Sequence, residues 1–350
     1  MTSPAQPPLL SIVLPVAGVE EYLDACLDSV LGQAGPDLEV IAVDDASADR
    51  CGELLDKRAA GDQRLRVRHL ADAGGPGPAR EVGLADAAGD YVWFVDPDDL
   101  LTDGAIGTVT ARLRAQQPDL LLLDYLILHR SGRTEPSPGA HLLTGAEGPV
   151  TLAERPGLID RTMTLWSKVF RRSFLTGLGV AIPPGIHEDV PVSGTALLSA
   201  SRIGLVPEVC YLYRRRGRSF LATPSMGHFS IFGSYGRLFA LLAEDPWPAR
   251  RPPLTPAVRA AVFGRAMEHY TTILSSGLVP RPARRDYFRR MAEDFRRCRP
   301  PGYRPPAGMR GLKIRLVERD RYRWYSVLAP LNELRVRVLR IGRRLAGQVG

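Results

Sequence analysis

Lysine is almost missing from this 350-residue chain: only Lys57, Lys168 and Lys313 stand among its 46 basic residues, and the rest are arginine. Arginine dominance with abundant Ala, Gly and Pro fits a GC-rich genome and carries no functional message. Cysteine is scarce as well. Cys26, Cys51, Cys210 and Cys298 lie far apart and form no CxxC or Cys/His cluster, which argues against a structural zinc site. Buried free thiols in a reducing compartment are the expectation for all four. Long apolar runs are also lacking. A membrane span needs about 18 consecutive apolar residues, and the longest stretch here, Leu120 to Leu128, is broken by Asp124. The opening MTSPAQPPLLSIVLPV has no basic leader and no cleavage site, so no signal peptide and a cytoplasmic location are expected. What remains is ordinary globular composition, 45% hydrophobic and 24% charged, which excludes wholesale disorder.

The net charge of +8 is unevenly spread. Residues 223–350 hold 25 basic and 9 acidic side chains, a net +16, whereas residues 1–222 carry a net −8. At roughly 150 residues per domain the length suggests two domains, and the charge places them at 1–222 and 223–350. The basic part raises the alternative of a nucleic-acid-binding protein. Scattered helical arginines without a recognised nucleic-acid motif argue against it.

Hydrophobic periodicity organises the first part. Leu9 to Val16, Leu38 to Val43, Leu65 to Leu70, Tyr91 to Val95 and Asp119 to Leu128 read as strands. Glu20 to Leu31, Asp49 to Ala60, Pro78 to Ala87 and Thr102 to Gln116 read as helices. This alternation predicts an α/β fold, a mostly parallel sheet flanked by helices. Residues 130–150 are rich in Gly, Pro and Ser and read as a surface excursion. A helix is expected after Asp189 and a strand from Ile203 to Tyr213. Beyond Thr223 the pattern is mainly helical, with Pro-rich joints at 246–256, 280–282 and 300–306.

Ligands of such sheets bind beyond the carboxyl ends of the strands, and polar clusters sit there. Asp96-Pro97-Asp98-Asp99 follows the fourth strand. Carboxylates held this close raise one another's pKa unless a cation intervenes, and hard cations such as magnesium or manganese prefer oxygen ligands. The same residues also suit a turn that caps the next helix. Asp44-Asp45 ends the second strand, where a carboxylate can accept hydrogen bonds from a base or ribose; Ser47 and Asp49 suit a helix cap. Ala73-Gly74-Gly75-Pro76-Gly77-Pro78-Ala79-Arg80 allows close backbone approach and puts an arginine in the opening turns of a helix, a combination that attracts phosphates and also serves as a plain turn.

In this order the motifs resemble the family 2 glycosyltransferases, which have the GT-A fold. The matching text is SIVLPVAGVEEYLDACLDSVLGQ (11–33), LEVIAVDDASAD (38–49), GGPGPAREVGLADAAGDYVWFVDPDDLL (74–101) and the stretch 166–216, so the resemblance covers roughly residues 9–220. It implies an inverting, metal-dependent transfer of a sugar from a nucleotide-diphosphate donor to a glycan or lipid-linked hydroxyl, in cell-envelope glycan synthesis. By motif position Pro15, Asp44 and Asp45 would meet the nucleoside and Arg80 the diphosphate side. Asp96 and Asp98 would form the Asp-x-Asp pair, with Asp98 the more direct ligand of magnesium or manganese. Glu188-Asp189 matches the family's Glu-Asp motif, with Asp189 as general base. Trp166 and Lys168 would lie near acceptor or phosphates, Glu188 beside them, and His187 is expected at the surface. There are departures: Ala17-Gly18, Ala73, Glu81 and Ser167 stand where the family often has Tyr-Asn, Asn, Asn and Asn.

The last residues suggest a surface function. Residues 280–350 hold 20 basic and 6 acidic side chains. Leu328, Leu331, Leu334, Val338, Ile341 and Leu345 mark one helical stripe, with Arg335, Arg337, Arg340, Arg343 and Arg344 between them. A basic amphipathic helix of this kind can lie on an anionic membrane; packing on the catalytic part or on a second subunit is the alternative. A catalytically inactive domain joined to a nucleic-acid- or membrane-binding region is the remaining rival, disfavoured by the intact acidic motifs.

Overall fold

The computed structural model describes residues 7–33, 35, 37–161, 163–216, 223–244 and 254–328. Two compact units divide the chain: Met1–Ser219 with Ala240–Leu254, and Phe220–Phe239 with Thr255–Gly350. The first unit is built on a nine-stranded sheet. Its first strands and helices alternate as β1 (Leu10–Val16), α1 (Glu20–Leu31), β2 (Leu38–Asp44), α2 (Cys51–Gly61), β3 (Leu65–His69), α3 (Pro76–Asp86) and β4 (Tyr91–Phe94). β5 (Leu100–Leu101), α4 (Ala105–Gln116), β6 (Leu120–Leu128) and β7 (Thr134–Pro136) follow, then β8 (Lys168–Arg171), α5 (Arg172–Gly177), α6 (Asp189–Ser199) and β9 (Ile203–Arg214). The strand order is β3-β2-β1-β4-β8-β6-β9-β5, with β7 paired to β6.

The sheet is α/β as expected. β1 to β4 run parallel, as do β6 and β9, while β8, β5 and β7 are antiparallel additions. β1 is central and buried along its whole length, which its seven-residue apolar run requires. Ile12, Leu14 and Val16 join the core formed with Leu23, Cys26, Leu27 and Val30 of α1 and Leu55 of α2. Val13, on the other side of the strand, meets Gly83 of α3. Helices therefore cover both faces. Pro15 lies in this central strand. The odd residues of β1 bond toward β4, and the ladder there ends with Val95 N–H on the Val13 carbonyl at 3.0 Å, two residues before the proline's missing N–H.

The surface excursion at 130–150 contains more order than its composition suggests. Thr134–Pro136 pairs with the end of β6, and Ala140–Leu143 makes a short 3-10 turn. A bulge shapes the far side of the sheet. The β6–β9 register shifts on either side of Asp124, and exposed Pro207 lies in the part of β9 that loops past it. Beyond the bulge Tyr211 and Leu212 pair with Leu101 and Leu100 of β5, directly after the Asp-rich turn.

The second unit is helical: α7 (Ser230–Glu244, which begins in it), α8 (Pro256–Ser275), α9 (Arg284–Cys298), α10 (Gly308–Glu318) and a further turn of helix over 322–328. Thr255 caps α8 by accepting from the Val258 N–H at 3.2 Å. Aromatic side chains fill its core, among them Phe232, Tyr235, Phe263, Tyr270, Tyr287 and Phe288. A buried Asp294 takes hydrogen bonds from the Tyr270 hydroxyl at 3.0 Å and Arg297 at 2.7 Å. The Pro-rich segments at 280–282 and 300–306 join these helices as expected. That at 246–256 falls largely outside the described residues, as does the stripe from Leu331 to Leu345 with its arginines.

Two glycines in helices make opposite predictions. A Cβ on Gly83 would lie 2.3 Å from Val13 Cγ1, whereas one on Gly107 of α4 meets nothing within 4 Å. Alanine is favoured over glycine in a helix by about 1 kcal/mol, but overpacking costs about 1–3 kcal/mol. Gly83→Ala should therefore lower the melting temperature by several degrees and Gly107→Ala should hold or raise it, as read by scanning calorimetry.

Candidate active site

The parallel strands β1 to β4 deliver their carboxyl ends to one edge, and the polar clusters stand there. Asp44 and Asp45 are both buried, and both carboxylates are hydrogen-bonded within the protein. Asp44 Oδ1 accepts the Ser47 N–H at 3.1 Å, and its Oδ2 lies 2.9 Å from His69 Nδ1. The other ring nitrogen of His69 is 3.0 Å from Asp56, and the Asp44 and Asp56 carboxylates raise the His69 pKa. Asp45 uses both oxygens, each 2.7 Å from a backbone N–H, of Gly74 and Gly75. Gly75 has φ +86°, a conformation that glycine tolerates best. The carboxylates expected to meet the nucleoside are thus both engaged within the protein, Asp45 by the glycine-rich loop and Asp44 by Ser47 and His69. Pro15 is likewise buried in β1.

Helix capping follows the sequence reading at α2 but not at α4. α4 starts at Ala105 after Gly104 in the left-handed region, not on an aspartate of the 96–99 turn. Before α2, Asp49 accepts from the N–H of Cys51 at 3.2 Å and of Glu20 at 3.1 Å. Glu20 in turn accepts from the Arg50 N–H at 2.9 Å, so the starts of α1 and α2 cap each other.

Asp96, Asp98 and Asp99 converge. Each offers a carboxylate oxygen, and the three oxygens lie within 4.8 Å of one another. Asp99 is the most buried, 1% exposed; it accepts from the Tyr211 hydroxyl at 2.8 Å and the Arg214 N–H at 2.7 Å. Burial, with Asp98 and Asp96 beside it, holds its carboxyl well above the usual range. Burial and the neighbouring Asp96 push Asp98 up to about 6, opposed by Arg216. Arg216 Nε sits 2.5 Å from Asp98 Oδ2, and Arg214 donates to the Asp98 carbonyl at 2.9 Å. Both guanidinium groups lie over the Tyr22 ring, at 5.2 and 5.6 Å. The donor set is all oxygen, crowded and short of countercharge. It fits a hard divalent cation, whose charge would offset the burial and mutual repulsion that raise these pKa values.

Arg80 joins this turn to α6. Its side chain is buried; one terminal nitrogen is 2.7 Å from Asp96 Oδ1 and the other 2.8 Å from Glu188 Oε1. It therefore lies behind the acidic turn rather than on an open phosphate face. Glu188 immediately precedes α6, and Asp189 is its first residue. Burial, then Glu188, push the Asp189 pKa up to about 8, against the lowering effect of Arg80. His187 is buried, not at the surface, and takes a left-handed backbone with φ +64°. Such strain in a non-glycine residue costs of order 1–3 kcal/mol and is concentrated at functional sites.

Trp166 and Lys168 are both buried. Trp166 is 4% exposed and stacks on Tyr211 and Tyr213, with ring centroids 4.6 and 5.3 Å away. Lys168 is fully buried, and its ammonium donates to the Thr164 carbonyl at 2.7 Å and to Ser167 Oγ at 3.3 Å. In this arrangement both are held by contacts within the protein. Ser167, where the family often has Asn, thus belongs to the lysine's shell. Sequence reasoning passed over Tyr22, Tyr211, Arg214 and Arg216. Tyr-Leu-Tyr-Arg-Arg-Arg at the end of β9 was the available signal, since an arginine run directly after a buried strand is costly without carboxylates nearby.

Comparisons with known proteins agree with this geometry. Residues 11–135 match the model of the family Glycosyl transferase family 2. The glycosyltransferase EpsJ of Bacillus subtilis, uncharacterised, is 30% identical over 225 residues, 62% of this chain and 64% of its own length. The chain thus spans a little under two thirds of that relative. TarS of Staphylococcus aureus, a poly(ribitol-phosphate) beta-N-acetylglucosaminyltransferase, is 28% identical over 208 residues, 58% of this chain and 35% of TarS. The crystal structure of TarS residues 1–349 in complex with UDP-GlcNAc superposes with a TM-score of 0.67 at 21% identity, covering 83% of this chain and 81% of that one. Residues 11–135 are therefore similar to the family 2 glycosyltransferases, and the chain shares the fold of TarS.

The raised carboxyl pKa values make the stability of the ligand-free protein depend on pH. Asp189 titrates near 8 folded and near its ordinary 3.8 unfolded. Between those values the folded chain holds a proton that the unfolded chain has released, so stability is highest at the acid end and falls as pH rises through the window. Asp189→Asn should flatten that fall. Melting temperatures measured from about pH 5 to pH 8 check this; parallel curves for the two proteins would show that Asp189 titrates like an exposed carboxylate.

Proposed function

We propose that this chain is a family 2 glycosyltransferase that catalyses inverting transfer of a sugar from a nucleoside-diphosphate donor to a hydroxyl of a cell-envelope glycan or lipid-linked acceptor. The observation that carries the reading is the joining of the Asp96/Asp98 pair and Glu188-Asp189 by one buried arginine. The donor diphosphate lies beyond the carboxyl ends of β1, β2 and β4. Asp96 and Asp98 hold a divalent cation, magnesium or manganese, that offsets the charge of the departing diphosphate, help worth several kcal/mol. Asp189 takes the proton of the acceptor hydroxyl as its oxygen attacks the anomeric carbon. The new glycosidic bond forms on the face opposite the breaking bond to phosphate, so configuration inverts and nucleoside diphosphate leaves. A carboxylate with a raised pKa is a stronger base than an exposed one, and Arg80 favours its ionised form. The relatives' names support an envelope glycan as product, and UDP-GlcNAc, bound by TarS, is the first donor to assay.

Two variants separate binding from chemistry. Asp98→Ala should lose the metal-dependent part of nucleoside-diphosphate affinity in calorimetry. Asp189→Asn should keep that affinity yet lose roughly a hundred- to ten-thousand-fold in transfer. Unchanged metal-dependent affinity in the first, or near wild-type turnover at saturating substrates in the second, removes the corresponding role.

Residues 223–350 place the enzyme at the anionic cytoplasmic face of the membrane in this reading. The net charge of +16 supports it, as do two apolar side chains on the helix over 322–328: Trp324 is 65% and Val327 60% exposed, among Arg319, Arg321 and Arg323. Tryptophan beside arginine suits a lipid interface, and each arginine near an anionic leaflet contributes about 1 kcal/mol. Among the described residues no helix is long and apolar enough to cross a membrane. The full chain should co-sediment with phosphatidylserine liposomes at low salt and be released at high salt, and removal of residues 308–350 should weaken this while leaving donor hydrolysis largely intact. Indifference to anionic liposomes at low salt refutes the membrane role.

A further inference from the structure

The structure assigns Arg80 as a positioning residue that fixes the general base against the donor site, rather than as a ligand of the donor diphosphate. The inference rests on the glycosyl-transfer reading and deepens it. Three observations carry it. First, the guanidinium is buried, 3% exposed, and both terminal nitrogens are engaged, by Asp96 at 2.7 Å and Glu188 at 2.8 Å. Its Nε is buried without a partner. A diphosphate ligand needs an N–H open to the substrate, and Arg80 is 3% exposed, with its unpaired Nε buried.

Second, the two carboxylates belong to different parts of the chain. Asp96 opens the acidic turn after β4, and Glu188 abuts Asp189. A planar fork that must satisfy both at once sets the separation between the two, and with it the place of Asp189 relative to the donor.

Third, the same face of α3 grips the segment before α6 at two more points. Glu81 accepts the Ile182 N–H at 2.5 Å. Gly77 passes so close to the Pro183 carbonyl that a Cβ there would lie 2.2 Å from its oxygen. Glu81 stands where the family often has Asn, and its longer side chain makes this contact. Residues 77, 80 and 81 thus form one clamp from the start of α3 onto residues 182–188.

The test is Arg80→Lys, which keeps the charge and loses the fork, with Arg80→Gln beside it. With manganese present, calorimetry should give affinities for the nucleoside diphosphate within about threefold of wild type, while transfer at saturating donor falls about a hundredfold, the scale of a misplaced reacting group. Donor KM should stay put and kcat should drop, with Lys retaining more than Gln. If Arg80 is instead a diphosphate ligand, both variants lose about thirtyfold or more in diphosphate affinity, the size of a lost charged contact, with monophosphate affinity untouched; that result overturns the assignment. Should Arg80→Gln fail to fold, the double variant Arg80→Gln/Glu188→Gln removes a charge from each side, and the same affinity ratio decides the matter. A wild-type protein that binds nucleoside diphosphate but transfers no sugar refutes the functional reading separately, because the affinity comparison for Arg80 does not depend on turnover.

Discussion

Carboxylates repel, and this fold gathers five of them, Asp96, Asp98, Asp99, Glu188 and Asp189, around the carboxyl ends of its parallel strands. Everything near them answers that repulsion. Arg80 lies beneath two, Arg216 clasps Asp98, and the Tyr211 hydroxyl and the Arg214 N–H hold Asp99. Burial, with the neighbouring carboxylates, still holds Asp98, Asp99 and Asp189 above their ordinary values. A cation held by Asp96 and Asp98, as proposed, would offset that cost, so the same crowding that costs stability would favour the ligand.

The supporting residues explain how the crowd is held. Removing one partner of a buried ion pair costs about 3–5 kcal/mol because the other charge is stranded. Loss of Arg80, or of either carboxylate it joins, would therefore strand a buried charge between the acidic turn and the start of α6. The bulge beside Asp124 does related work at the other end of the sheet. It lets β9 pass the bulge and still pair with β5, which sets Tyr211 and Arg214 against Asp99. Beneath them Trp166 lies flat on Tyr211 and Tyr213, and the Trp93 indole N–H donates to the Trp166 carbonyl at 2.8 Å. A tyrosine that orders an aspartate is thus itself ordered by an aromatic stack.

The architecture was legible in the sequence because buried parallel strands are written as short apolar runs ended by turn residues. β1, β2, β3, β4, β6 and β9 fall within a residue or so of the runs that announced them. The acidic turn was legible for the same reason, as polar residues at a strand end. What a carboxylate faces is not written there. Asp45 and Asp98 look alike in sequence, each following a strand, yet Asp45 is spent on two backbone N–H groups while Asp98 joins the cluster. The family position of Trp-Ser-Lys predicts Trp166 and Lys168 near acceptor or phosphates. Both are buried, at or just before β8, which lies between β4 and β6, a pairing no local pattern announces.

Arg80 shows where a motif and its geometry part. An arginine early in a helix after a glycine-rich loop has the right charge for a phosphate, and the helix N-terminus adds to the attraction. Distance along the chain does not reveal that Glu188, more than a hundred residues later, arrives on its other side. With a carboxylate at each terminal nitrogen and no solvent, the guanidinium is close to neutralised where it stands, and its value lies in direction rather than charge. That division of labour is economical. In the proposed mechanism positive charge for the leaving group would come from a cation held by Asp96 and Asp98, while Arg80 would hold the base in place. An arginine that swung to the phosphates would have to strand Asp96 and Glu188 at the moment Asp189 is required to ionise beside them.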